Sequence, residues 1–248
     1  MRVVITGGTS GMGKSAVKLF LEKGWQVMAL DLNEEAGQRL LDEMKAEGLT
    51  QLHFCKANVA KDADVRAAYE KTMEVMGGTD CLINNAGIFV GGQLHETKEE
   101  DWDRVFDVDV KAIYLTAKYF VPYMIKNGGG SIVNTASVSG MFGDYDMAAY
   151  NAAKGAVVNL AKAMALDYGK YGIRVNNVCP AACATPMFLA NPPEVVEQFN
   201  RANPLGRICN PDEIARAMYF LAVDATSCNG INLEVTGGLN IHTGQPVQ

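Results

Sequence analysis

The sequence predicts an α/β fold in which a doubly wound parallel sheet of about seven strands carries helices on both faces. Three observations carry this. Short β-branched runs alternate with amphipathic stretches of helical length, the pattern of strands joined by helical crossovers. The first run passes directly into a glycine-rich turn and then a helix. The 248 residues, 48% hydrophobic and 20% charged, show no repeat, charge tract or interdomain linker, so they form one domain of a size α/β folds commonly reach.

Residues 2–6 (RVVIT) are the first strand, residues 7–13 (GGTSGMG) the turn, and residues 14–23 an amphipathic helix. Such a junction gathers backbone N–H groups and the positive end of a helix dipole at one point, which suits a diphosphate. Gly7 permits the tight turn, Gly11 lets the backbone approach phosphates, and Gly13 allows close helix packing. Residues 25–32 read as the second strand, with Asp31 at its end, about 20 residues beyond the turn, where a carboxylate accepts hydrogen bonds from the hydroxyls of an adenosine ribose. It would repel a 2′-phosphate, and no Lys or Arg stands at Thr9, Ser10, Leu32 or Asn33 to offset that, so NAD(H) is favoured over NADP(H). The same carboxylate could instead cap the helix that begins near Glu34.

Helix 34–47, strand 51–56, helix 61–76 and strand 79–83 continue the alternation. Asn84, Asn85, Ala86 and Gly87 follow the fourth strand, at the carboxyl edge where ligands of parallel sheets bind. One long helix is expected from 98 to 125, with Pro122 near its end or at a bend. The three glycines 128–130 precede strand SIVNTAS, which ends on Ser137. Tyr150 and Lys154 lie at i, i+4 on one face of the next helix, so the loop after the strand can bring the serine hydroxyl over the tyrosine. Strand 173–178, a proline-flanked segment around 185–208 that reads as a mobile lid, helix 213–223 and strand 230–235 complete the chain.

The net charge of −6 argues against a nucleic-acid backbone or an anionic membrane as partner. No apolar run approaches the length of a membrane span, and the opening MRVVITGG reads as a strand rather than a signal sequence, so a cytoplasmic location is expected. The six cysteines are expected as small buried thiols. Cys179 and Cys183 are far in sequence from His53, His95 and His242, and no metal site is expected.

TGGTSGMG at 6–13, Asp31, NNAG at 84–87, Ser137, YNAAK at 150–154, IRVNNVCP from 173 with Thr185, and the closing GINLEVTGG together resemble the short-chain dehydrogenase/reductase family over essentially the whole chain. The resemblance implies a single-domain Rossmann fold and an enzyme interconverting a secondary alcohol and a ketone with NAD(H). It implies Ser137, Tyr150 and Lys154 as catalytic residues. A cofactor would be held by Gly7, Ser10, Gly11, Met12, Gly13, Asp31, Leu32, Asn58, Val59, Asn85, Ala86, Gly87, Tyr150, Lys154, Pro180, Cys183 and Thr185. It further implies a homotetramer or homodimer, with helices 98–125 and 150–168 packed against symmetry mates. Four positions depart from the family pattern: Asn58 and Thr236 stand where aspartates are usual, Ala181 where glycine is usual, and Asp109 where a fourth catalytic residue, asparagine, is usual. Asparagine donates and accepts, whereas an ionised aspartate only accepts, so Asp109 is expected to lie near Lys154 and keep it charged.

The chemistry is self-consistent. Oxidising a secondary alcohol needs a base for the hydroxyl proton while hydride leaves, and a phenol, which ordinarily ionises near pH 10, needs a neighbouring cation to act as that base. By the resemblance, Lys154 would supply the cation and hold the nicotinamide ribose, while Ser137 would orient the substrate oxygen. Met141, Phe142, Tyr145, Met187, Phe188 and Leu189 offer an apolar wall suited to a hydroxysteroid or bile acid, or they only pack the lid onto the body. A 3-oxoacyl-carrier reductase, a polyol or sugar dehydrogenase, and a dinucleotide sensor without turnover are the alternatives.

Overall fold

A computed structural model describes residues 1–241; His242 lies outside the described residues. Seven parallel strands form one sheet in the order β3-β2-β1-β4-β5-β6-β7. They are β1 (Arg2–Thr6), β2 (Gln26–Asp31), β3 (Leu52–Lys56), β4 (Cys81–Asn84), β5 (Gly130–Thr135), β6 (Ile173–Pro180) and β7 (Asn232–Val235). The order reverses between β1 and β4, so the two loops that follow these strands part and leave a crevice at the carboxyl edge.

Alternation along the strands builds two hydrophobic layers. Val3 and Ile5 point to the face covered by α1 (Gly11–Glu22), α2 (Glu34–Ala46) and α9 (Pro211–Tyr219), where they meet Phe20, Leu40 and Met218. Val4 points to the opposite face with Leu82 and Ile132, under α3 (Asp62–Met76), α5 (Ala112–Lys126) and α6 (Ala148–Tyr168), represented by Ala68, Phe120 and Val157. Both layers are closed by fully buried side chains, the arrangement expected of a single Rossmann-type domain.

A rung of four asparagines crosses half the sheet. Asn84, Asn134, Asn177 and Asn232 are register partners on β4, β5, β6 and β7. Their amides join in series: Asn84 Nδ2 donates to Asn134 Oδ1 at 2.9 Å, Asn134 Nδ2 to Asn177 Oδ1 at 3.1 Å, and Asn177 Nδ2 to Asn232 Oδ1 at 2.7 Å. Thr116 on α5 closes the chain by donating to Asn84 Oδ1 at 2.8 Å. Buried amides are tolerable only when satisfied in this way.

Two expected helices are interrupted. The stretch 98–125 divides into α4 (Glu99–Phe106), a π turn over Asp107–Lys111, and α5, which continues past Pro122. The stretch 213–223 is α9 followed by a second π turn, Phe220–Asp224. A π turn admits one extra residue without a break in the apolar stripe, so periodicity alone does not register it. The lid segment holds α7 (Pro186–Leu189) and α8 (Pro193–Ala202). Within it, Phe188 packs edge-on against Phe199 at 5.1 Å; it is tied to the body where Asn203 Nδ2 donates to the Thr236 carbonyl at 2.8 Å, and a backbone β-bridge between residues 183 and 209 closes its base.

Candidate active site

The glycine turn after β1 opens a cleft of about 320 Å³ at the carboxyl edge of the sheet. From the turn come Gly7, Ser10, Gly11 and Met12; from the end of β2, Asp31 and Leu32; after β3, Asn58 and Val59; after β4, Asn85, Ala86 and Gly87; and from the lid, Thr185. Gly13 lies beneath the turn, where a Cβ would stand 2.0 Å from the Gly7 carbonyl oxygen, so only glycine lets α1 start this close. Asn85 acts as a staple. Its backbone N–H donates to Thr6 Oγ1 at 2.9 Å and its Nδ2 to the Thr6 carbonyl at 3.2 Å, tying the loop after β4 to the turn after β1.

Asp31 faces the cleft with its carboxylate already oriented. Oδ2 accepts from the Thr9 hydroxyl at 2.6 Å and from the Thr9 N–H at 3.1 Å, and Oδ1 accepts from the Asn33 N–H. The helix-cap alternative fails, because Asn33 caps α2 by accepting from the Ala36 N–H at 3.0 Å. Asn58 Oδ1 accepts from the Ala60 N–H within its own turn, so the group it offers a base is the amide NH₂.

At the other end of the cleft, α6 carries Tyr150 and Lys154. Lys154 Nζ donates to the Thr135 carbonyl at 3.0 Å and lies 2.9 Å from Asp109 Oδ2, with its ammonium 5.6 Å from the centre of the Tyr150 ring. Asp109 sits on the π turn, and its Oδ1 accepts from the Ile88 N–H at 2.8 Å. The carboxylate is fully buried and the ammonium is 4% exposed. Burial works against the Lys154 charge, but the Asp109 carboxylate and the Tyr150 phenol outweigh it, and the lysine is held above its ordinary value.

Ser137 ends the run after β5 and caps the short 3₁₀ turn Val138–Gly140, its Oγ accepting from the Ser139 N–H at 3.2 Å and lying 3.5 Å from the Pro180 carbonyl. That turn rests on α6. A Cβ on Gly140 would come within 2.4 Å of the Lys154 carbonyl, and Asn151 Nδ2 donates to the Ser139 and Phe142 carbonyls, each at 2.9 Å. The serine loop and the tyrosine helix are thus locked to one another.

Five expected cofactor residues, Gly13, Tyr150, Lys154, Pro180 and Cys183, are not among those that line the cleft. Cys183 is buried in the core layer beneath α9 rather than in the cleft, its thiol pushed up to about 12 by burial. Pro180 is buried at the end of β6, where its carbonyl meets Ser137. Conversely, Leu30, Ala57, Ile88, Val108 and Pro186 line the cleft without a sequence signal, since apolar residues at loop ends look like any others, while Met187 of the expected apolar wall also lines it. All six cysteines are free, and among the described residues no group of three or more His, Cys, Asp or Glu side chains could hold a metal. No helix among them is long and apolar enough to cross a membrane.

Such a fold, with its glycine turn, cleft and Ser, Tyr and Lys cluster, defines an oxidoreductase built on one Rossmann-type domain. The chain belongs to the short-chain dehydrogenase/reductase family: a family profile described as enoyl-(acyl carrier protein) reductase matches residues 7–240. It is 41% identical to meso-2,3-butanediol dehydrogenase of Serratia marcescens, over 98% of this chain and 96% of that protein. It is 39% identical to cyclohexanol dehydrogenase of Acinetobacter sp. strain SE19, over 90% and 88%. A 3-oxoacyl-(acyl-carrier-protein) reductase of Thermotoga maritima is 38% identical, over 96% and 97%. Among solved structures, levodione reductase superposes with a TM-score of 0.90 at 31% identity, covering 96% of each chain.

Proposed function

We propose that this protein is an NAD(H)-dependent dehydrogenase interconverting a secondary alcohol and a ketone. The observation that carries the proposal is the convergence of Tyr150, the Asp109-paired Lys154 and the Ser137 loop beside a cleft whose far end presents Asp31. The residues present fit the cofactor: Asp31 offers acceptors for ribose hydroxyls, and no Lys or Arg lines the cleft to neutralise a 2′-phosphate. When bound, the nicotinamide accepts or returns the hydride. Tyr150 takes the proton from the carbinol oxygen in oxidation and gives it back in reduction, Ser137 orients that oxygen, and Lys154 stabilises the phenolate and offers its ammonium to the nicotinamide ribose. Asp109 acts on the lysine as a positioning residue and fixes Ile88 of the cleft wall.

For substrate, a compact secondary alcohol is favoured, because relatives over nearly the whole chain are named for butanediol and cyclohexanol. A hydroxysteroid or bile acid is the second reading, supported by the exposed apolar side chains Phe142, Tyr145, Met187 and Leu189. We further propose a cytoplasmic homotetramer or homodimer, with the exposed Tyr114 on α5 and Leu166 on α6 in its interface. Reduced-nicotinamide absorbance with cyclohexanol, 2,3-butanediol and a hydroxysteroid, each with NAD and NADP, tests the reading. Binding of NADH with no turnover of any of them would instead mark a dinucleotide sensor.

A further inference from the structure

The geometry points to Phe89 as a substrate-specificity residue, an aromatic wall beside Tyr150 that selects secondary alcohols carrying a ring over open-chain ones. This rests on the secondary-alcohol reading and deepens it. The Phe89 ring stands edge-on to the Tyr150 ring with centroids 5.5 Å apart, and 46% of the residue is exposed. A carbinol held at the Tyr150 hydroxyl therefore has the Phe89 ring within reach of its substituents, and a flat apolar substituent gains most from an aromatic face.

Phe89 is held there from both sides. On one side, the preceding Ile88 N–H is bound by Asp109, the residue that also holds Lys154. On the other, Gly92 forms a bridge with Met147 and donates its N–H to the Asp146 carbonyl at 2.6 Å. Asp146 has a φ of +55°, the one positive value among the described non-glycine residues, so the Met147 end of this bridge is built on a strained residue. Between these anchors, a Cβ on Gly91 would stand 3.2 Å from two ring carbons of Phe89, so glycine leaves the room in which the ring lies. An exposed aromatic so constrained, next to the proposed proton acceptor, is placed to contact substrate rather than to fill the core.

The test compares cyclohexanol with 2-butanol, which share the reacting group and differ in the ring, using NAD and the purified protein with its Phe89→Ala and Gly91→Ala variants. The expected result is that the kcat/KM ratio of cyclohexanol to 2-butanol falls about tenfold in Phe89→Ala. The fall is carried by the KM for cyclohexanol, and Gly91→Ala moves the ratio the same way. An active parent whose ratio is unchanged in both variants, or variants that lose both substrates equally, would overturn the wall. A parent that turns over neither alcohol overturns this inference; if 2,3-butanediol and a hydroxysteroid are not turned over either, the secondary-alcohol reading falls with it.

Discussion

Asp109 Oδ2 lies 2.9 Å from Lys154 Nζ in a pocket that leaves the lysine 4% exposed and the aspartate wholly buried. The cation behind Tyr150 is therefore offset in part by an anion, where a neutral amide would leave it whole. Its field at the phenol is weaker than that of a lone ammonium. Replacing Asp109 by Asn restores the full field, so the acid limb of the pH–rate profile for alcohol oxidation is expected at lower pH in the variant. A profile identical to the parent's would remove Asp109 from any role in setting Lys154.

The same pair bears on stability. Asp109→Ala leaves a buried ammonium without its partner and is expected to cost about 3–5 kcal/mol, read by urea unfolding. Lys154 is held above its ordinary 10.5, with Asp109 and Tyr150 outweighing burial. Its contribution is fully present below that value and declines as pH rises through the elevated folded value, because there the native state keeps a proton the unfolded chain has lost. Alkaline unfolding above pH 10.5 is thus expected to set in earlier in Asp109→Asn than in the parent, followed by circular dichroism.

Tyr150→Phe removes the proposed proton carrier and keeps the ring that packs on Phe89. Turnover is expected to fall by about 10²–10⁴ while NADH fluorescence on binding is retained. Comparable turnover in the variant would exclude Tyr150 as the proton carrier.

Asp31 and the exposed Leu32 beside it line the cleft, and the proposed NAD preference rests on them. The double change Asp31→Ser with Leu32→Arg removes the repulsion and adds a cation, so kcat/KM is expected to swing toward NADP by at least about tenfold. The single Asp31→Ser change is expected to weaken NAD use without conferring NADP use.

Burial pushes the thiols of Cys81, Cys179 and Cys183 up to about 12. Thiolate is the reactive form, so these three are expected to resist alkylation at pH 8 in native protein and to react promptly in denaturant. Mass spectrometry of the alkylated peptides distinguishes the two states.

Much of this molecule was legible in the chain. The strands with their alternation, the glycine turn, Asp31 and the i, i+4 pair of Tyr150 and Lys154 follow from local periodicity and turn chemistry, and the structure places them close to where those rules put them. The π turn at Asp107–Lys111 left no such trace, since its residues continue an unbroken helical pattern. Phe89 was equally silent, because its position depends on contacts with Tyr150, Asp109 by way of Ile88, and Met147 by way of Gly92, all distant in sequence. The backbone β-bridge at the base of the lid segment and the Phe188 and Phe199 contact within it are tertiary facts that proline content does not encode.

The asparagine rung of β4 to β7 acts as a common datum line. Gly87, Ser137 and Pro180 each follow a member of it by the same three residues, Asn84, Asn134 and Asn177 respectively. Sliding β5 or β6 by a position would break its amide from both neighbours in the rung and flip the side chain to the other face. The loop after β4, the serine and the carbonyl it meets are therefore levelled against one another by side chains that do not themselves line the cleft.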